Sequence, residues 1–349
     1  MGTDIIDADS NSIESASNQC ASCGSSLIEP GHATPLCYDC RAKFIKYPIP
    51  SVIRIFSLAL LIVVGISLFR LPENISMGIH QSRGEKALKS KKFLTAEREF
   101  EQVVKKAPNY IEAKADLIIA AYHNQDYSLL FENFSQLEGK LIEDESLYQE
   151  LTSISNRVSV YFPGDSLLAF QKDKTDSAGN IPIDDLLNYY SANPEDYYAL
   201  LLLASAYYDK NDYEKSDSIL LKVLDKYPDH INALRLMTSS KREQNQYDES
   251  FAYCEKMLAL NSEDTYAMSS KSRTLLKSGK DKEALKLAKE AEEINKNEPY
   301  NKATLVLAYH YNNMIKERDE ILNKTKNDST TMFYMTYASD IINSKVKFR

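Results

Sequence analysis

The sequence predicts an all-α fold. A solenoid of helical hairpins occupies residues 75–349, preceded by an apolar helix at 50–71 and a small cysteine-bearing module at 20–46. Three observations predict it. A pattern of small and apolar residues recurs every 34 residues along most of the chain, and a period of that length marks stacked supersecondary units. Ser51 to Leu71 is apolar on every face, where a surface helix would carry a single apolar stripe. Four of the five cysteines lie between Cys20 and Cys40. Composition agrees: 43% hydrophobic and 26% charged residues, ten glycines and no tryptophan suit a helix-rich body and exclude a collagen-like or low-complexity chain.

Residues 1–19 are acidic, rich in Ser and Asn and free of aromatics, and read as a disordered tail. The stretch CASCGSSLIEPGHATPLCYDC follows. Two CxxC knuckles, at Cys20/Cys23 and Cys37/Cys40, enclose thirteen residues. Each knuckle can point two sulfurs at one centre, and two knuckles close a tetrahedron around Zn²⁺. Gly24, directly after the first knuckle, eases the turn. The segment resembles a zinc ribbon with a slightly short loop. Four thiolate ligands leave no open position, so the expected zinc is structural. A pair of disulfides is the competing reading, and His32 reads as a surface residue rather than a fifth ligand.

From Ile55 to Phe69 no residue is charged. These fifteen residues span roughly 22 Å as a helix, against about 30 Å of hydrocarbon. Val52, Ile53 and Leu71 cover the deficit, Arg54 and Arg70 sit at the two ends, Tyr47 lies near the interface, and Pro48, Pro50 and Pro72 bracket the helix. The expectation is a single membrane span, with a buried core helix as the alternative. Arg41, Lys43, Lys46 and Arg54 before the span and Arg70, Arg83 and Lys86 after it give a weak positive-inside bias. Reduced thiols point the same way, to a cytoplasmic N-terminus and an extracytoplasmic repeat array.

With Tyr197 as position 1, the repeat places Ala204 at 8, Tyr207 at 11, Tyr213 at 17, Ser216 at 20, Leu220 at 24 and Val223 at 27. A shift of 34 gives Thr238, Lys241, Tyr247, Ser250, Cys254 and Met257; a second gives Ser272, Leu275, Asp281, Ala284, Ala288 and Ala291. From Met77 the same slots hold Gly84, Ala87, Phe93, Ala96, Phe100 and Val103. This resembles the tetratricopeptide repeat (TPR), two antiparallel helices per unit. Further units begin at Ile111 and Glu145, and a degraded sixth at Pro299, for about six in all. An insertion of about 18 residues near 162–181 is expected to form a loop between the two helices of the Glu145 unit, and Thr330–Ser344 a closing helix. Cys254, at packed position 24, reads as core.

The resemblance implies a concave face lined by positions 2, 5, 9 and 12 of each first helix. There stand Tyr198, Leu201, Ser205 and Tyr208; Asn232, Arg235, Ser239 and Arg242; and Tyr266, Ser269, Arg273 and Leu276. Tyr198, Tyr208, Asn232, Arg235, Arg242, Tyr266 and Arg273 form the candidate groove for a protein or peptide partner, arginine forking to acids and tyrosine supplying area. The competing reading has these arginines paired with neighbouring acids. Residues 72–349 hold 37 basic and 44 acidic side chains, which disfavours nucleic acid. No phosphate-cradling glycine loop, GxSxG or HExxH occurs, and the five histidines are scattered. The reading is a non-enzymatic membrane-anchored scaffold with no small-molecule substrate. A membrane-tethered zinc-ribbon regulator or nucleic-acid binder, or an enzyme with its site in the inserted loop, are the alternatives.

Overall fold

A computed structural model of the chain describes residues 18–45, 49–176 and 181–349. Most of the expected tail, Tyr47 and Pro48 at the expected interface, and residues 177–180 of the insertion lie outside the described residues. The chain divides into two compact units, one up to Asn74 and one from Ile75 onward. The described residues form α-helices, one 3₁₀ turn and no strand.

The first unit contains α1 (Tyr38–Ile45), and α2 runs over Ser51–Lys89. Helix α2 starts after Pro50, whose carbonyl accepts from the Ile53 amide at 2.9 Å. Its large apolar side chains from Val52 to Phe69 are exposed, and among the described residues it is the one helix long and apolar enough to cross a membrane. It does not end before Pro72, as the sequence suggests; Pro72 lies inside it. Proline removes one N–H and crowds the carbonyl four residues back, at a cost of ~3 kcal/mol. That carbonyl belongs to Leu68.

The second unit is an array of helix pairs. Its members are the end of α2 with α3 (Phe93–Lys106), α4 (Ile111–Asn124) with α5 (Tyr127–Leu137), α9 (Tyr197–Asp209) with α10 (Tyr213–Lys226), and α11 (Ile231–Glu243) with α12 (Tyr247–Leu260). Two more pairs follow, α13 (Thr265–Lys277) with α14 (Asp281–Ile294) and α15 (Pro299–Tyr311) with α16 (Ile315–Thr325), and α17 (Met332–Ile342) closes the array. These are the starts that the 34-residue register assigns. Aspartates set several of them: Asp126, Asp144, Asp196 and Asp264 each accept the amide three residues on, at 2.9–3.1 Å.

The reversal between paired helices has one geometry. The fifteenth residue of the unit takes a positive φ: Lys91 +54°, Gln125 +66°, Asn211 +60°, Asn245 +62°, Gly279 +79° and Asn313 +57°. The next amide then reaches back to the carbonyl at position 11, as in Asp212 to Tyr207 and Lys280 to Leu275, both 2.9 Å. This is the 6→1 bond of a Schellman turn. Between the helices, Ala96, Phe100 and Val103, Ser216, Leu220 and Val223, Ser250, Cys254 and Met257, and Ala284, Ala288 and Ala291 are all fully buried. Two of the buried hydroxyls are satisfied across the pair: Ser250 Oγ donates to the Thr238 carbonyl at 2.9 Å and Ser272 Oγ to that of Ala284 at 2.8 Å.

The unit beginning at Glu145 departs from this plan. After α6 (Glu145–Val158), position 15 is Ser159, which stays right-handed and leads into a 3₁₀ turn, Ser159–Tyr161. Without the left-handed residue the chain cannot reverse in two residues, and the insertion enters here. It is not the loop expected: α7 (Asp165–Lys174) fills half of it, with Leu167 buried against Tyr189 and Ala199. Helix α8 (Ile183–Ala192) then packs on α9, whereas α6 packs on α4. The array therefore has six intact hairpins and a seventh whose halves belong to different neighbours.

The array also meets itself. Glu263 accepts from both the amide and the hydroxyl of Thr95, at 2.8 and 2.7 Å. The Ser262 amide donates to the Lys91 carbonyl at 2.9 Å, and Lys91 Nζ to that of Ala259 at 2.8 Å. Arg157 pairs with Asp229, and the Tyr161 ring lies 4.4 Å from His230.

Gly84 holds position 8 of the first hairpin because Phe100 lies over it; a Cβ there would stand 2.6 Å from the ring. Gly84→Ala should lower stability by about 1–3 kcal/mol through that overlap, read as a drop in melting temperature by tyrosine fluorescence. An unchanged melt would show that the ring is not packed there.

Candidate metal centre and candidate binding groove

The Cys20 knuckle is built by its backbone. The Cys20 amide donates to the Ser25 carbonyl at 2.7 Å, the Gly24 amide to that of Cys20 at 2.8 Å, and Gly24 takes φ +73°. Two further bonds tie the loop, Ala21 to Pro35 at 2.8 Å and Glu29 to Leu36 at 2.9 Å. Arg41 clamps it by pairing with Glu29 at 2.7 Å and donating to the Thr34 carbonyl at 2.9 Å. The second knuckle is not the β-hairpin of a ribbon: Cys37 immediately precedes α1 and Cys40 lies in its first turn. The zinc-ribbon likeness is thus limited to the ligand spacing.

All four sulfurs lie within 4.8 Å of one another, and those of Cys23 and Cys37 are 3.6 Å apart. Sulfurs about 2.3 Å from a tetrahedral centre stand about 3.8 Å apart, so the set fits one metal ion. It does not fit the two bonded pairs of the disulfide reading, since all four cysteines are free. The Cys37 amide holds the Cys20 thiol down to about 6. At Cys23 the Ser25 amide acts downward, but the crowded sulfurs of Cys40, Cys37 and Cys20 push the thiol up to about 12. Thiols that resist ionising together are what a shared cation relieves. His32 is exposed and outside the cluster.

The structure sorts the seven groove residues unequally. Asn232 is exposed, Tyr198 is half-buried, and Tyr208 packs edge-on against Tyr213 at 5.5 Å. Arg235 lies 4.3 Å over the Tyr266 ring and 3.8 Å from Asp264. Tyr266 stacks on Tyr300 at 4.3 Å, and Arg273 lies 4.0 Å over Tyr300. Arg242 and Arg273 are only 5% and 4% exposed. Arg242 Nε meets Glu243 at 3.3 Å, a carboxylate already holding Lys277 at 2.5 Å. Arg273 Nε donates to Thr304 Oγ1 at 2.8 Å; among the described residues it has no carboxylate partner. The competing reading, arginines paired with neighbouring acids, therefore describes Arg235 and part of Arg242 but not Arg273. Burying an unpaired cation costs several kcal/mol, and an aromatic face returns ~2 kcal/mol, so Arg273 is undercompensated.

Tyr300, Tyr334 and Tyr337 belong to the same surface. Their signal was the register itself: Tyr300 and Tyr334 occupy position 2, the slot of Tyr198, Asn232 and Tyr266, one and two units further on. Burial acts to push the Tyr300 hydroxyl up, yet Arg273 and Arg242 hold it below the usual tyrosine value.

A cavity of about 510 Å³ lies where the first two hairpins and α6 face the α10–α11 and α12–α13 turns, lined by Phe93, Asp116, Tyr122, His123, Tyr127 and Tyr161 among others. Burial pushes Asp116 up to about 6 and His123 down to about 4. Asp116 accepts from Gln81 at 2.9 Å, and His123 stacks on Phe93 at 4.3 Å. Neither is hydrogen-bonded to the other, so no acid–base pair is assembled there. Nearby, Glu97 is 7% exposed, accepts from Asn124 at 2.9 Å, and is pushed up to about 7 by burial.

No protein-family model matches the sequence, and neither does any curated protein. Among solved structures, the chain is similar to a crystal structure of MamA protein at 15% identity and TM-score 0.30, over 63% of this chain and 92% of that one. It is also similar to YrrB, titled a TPR protein with an unusual peptide-binding site, at 18% identity and TM-score 0.33, over 48% of this chain and 87% of that one.

Two outcomes test the site. Metal analysis of the full-length chain in detergent should find one zinc per chain, lost in Cys37→Ser and kept in Cys254→Ser; zinc retained by Cys37→Ser would remove the centre. For Glu97, the unfolded carboxyl, near 4.5, releases its proton before the folded one, near 7. Rising pH therefore favours unfolding across that window and has no further effect through Glu97 above it. The melting-temperature gap between Glu97→Gln and the parent should widen from pH 4.5 to 7, and a constant gap would contradict the burial.

Proposed function

We propose that the chain is a single-span membrane scaffold that holds a partner protein or peptide on the concave face of its repeat array. Four thiolates, from Cys20, Cys23, Cys37 and Cys40, hold a structural zinc beside the span. The observation that carries this reading is the recurrence of tyrosine and arginine at positions 2, 5, 9 and 12 of successive first helices, on a body otherwise acidic. Aromatic rings give area at low entropic cost and guanidinium groups give directional bonds, the mixture that dominates protein interfaces. Segment 52–69, apolar all round and exposed, supports the span. Convergent thiols favour a reducing compartment and so a cytoplasmic N-terminus, with the array on the other side. The zinc, its four positions filled, would shape a module too short to hold a core of its own. The protein acts by binding, with no catalysis, no nucleic acid and no small-molecule substrate.

Photo-cross-linking in intact membranes tests the reading. A photoreactive residue at Asn232 or Ser239, on the concave helix α11, should capture a discrete partner. The same residue at Lys286, exposed on α14, should not. Equal capture from Lys286, or none from α11, would overturn it.

A further inference from the structure

The three groove arginines differ, and the difference points to a ligand. Arg235 already faces Asp264 and covers Tyr266. Among the described residues, Arg242 Nη1 and Arg273 Nη2 are buried donors without a hydrogen-bond partner. They belong to adjacent first helices, α11 and α13, which pack together. The charged groups around them are Arg235, Lys277, Glu243 and Asp264, with Glu298 at the start of α15. Glu243 is shared between Arg242 Nε and Lys277, and Asp264 lies against Arg235, so neither acid reaches the two Nη donors. A buried guanidinium without a partner is costly, and a carboxylate is the planar acceptor that matches its fork.

We propose that Arg273 and Arg242 form the seat for one carboxylate, presented by a glutamate or aspartate side chain of a peptide lying in the groove. This deepens the groove reading and rests on it. The two Nη atoms are not used by the groove's own hydrogen bonds, and the rings beside them supply walls for the chain that carries the acid. Tyr266 and Tyr300 are stacked, and Tyr334 meets Tyr300 edge-on at 5.5 Å. Tyr337, from α17, stands 6.0 Å from the Arg273 guanidinium and is 37% exposed, so it is the side of the seat free to move aside. The acidic body repels free anions at long range, which favours an acid delivered by contacts on either side of it over a dissolved ion. Arg235 lies outside the seat and contributes ring coverage only.

The test uses the full-length chain in detergent micelles and two blocked pentapeptides, acetyl-Ala-Tyr-Glu-Tyr-Ala-amide and its glutamine counterpart, with sodium acetate as the free carboxylate. The glutamate peptide should bind about tenfold or more tightly than the glutamine one, the gain expected of a charged hydrogen bond. It should also move the lowest tyrosine ionisation to higher pH, because the bound carboxylate offsets the charges acting on Tyr300. Arg273→Met and Arg242→Met should each remove the preference, and Arg273→Lys should restore part of it. Tyr300→Phe should remove the spectroscopic change while keeping the preference. Equal binding of the two peptides would overturn the seat and leave the groove standing. A response to acetate with none to either peptide would overturn the assignment to a peptide side chain. A preference that survives Arg273→Met would overturn the role of that residue.

Discussion

Every intact hairpin depends on one backbone torsion. The residue at position 15 must turn left-handed so that the following amide can close onto position 11 and send the second helix back along the first. Asparagine and glycine enter that region most readily, and they fill four of the six places; Lys91 and Gln125 adopt it at some steric cost. Where the torsion is absent, at Ser159, the hairpin does not form. The entry of the insertion and the separation of α6 from α8 both accompany that one residue staying right-handed.

Much of this was legible in the sequence because the period is carried by physical necessity. Positions 8, 20, 24 and 27 must be small or apolar where two helices touch, and in the units from Tyr197, Ile231 and Thr265 all of them are buried, from Ala204 to Ala291. The helix starts at Ile111, Glu145, Tyr197, Ile231, Thr265 and Pro299 therefore fell in register. What the register could not carry was anything dependent on residues far apart in the chain. The Thr95–Glu263 bonds join residues 168 apart, and each partner alone reads as a solvated side chain. Pro72 misled for a different reason: a proline lowers helix propensity locally, but flanking turns can carry it. The inserted stretch, with its Gly, Pro, Asp and Ser, read as loop although Leu167 and Phe170 supply a small apolar face for α7.

The cysteine cluster and the candidate groove show opposite limits of the same kind of reading. Spacing alone brought Cys20, Cys23, Cys37 and Cys40 together, because ligand chemistry constrains local geometry tightly; it missed that the second knuckle opens a helix. Slot number placed Arg235, Arg242 and Arg273 on one face, yet their burial and partners depend on neighbouring units. Three residues alike in sequence thus became a paired cation, a shared one and one held by a hydroxyl and a ring. Tyr300 and Tyr337 enter that environment only because α15 and α17 continue the face.

The bonds from Lys91 and Thr95 to the α12–α13 turn change what kind of mechanical object the array is. An open stack of repeats behaves like a coil spring, each turn answering only to its immediate neighbours, and frays from its ends. A clasp between its first turn and its middle removes that independence. Loosening the opening helices would then slacken the distant α12–α13 corner as well, and the stacking of the hairpins in between would be held by the strap as much as by their own contacts.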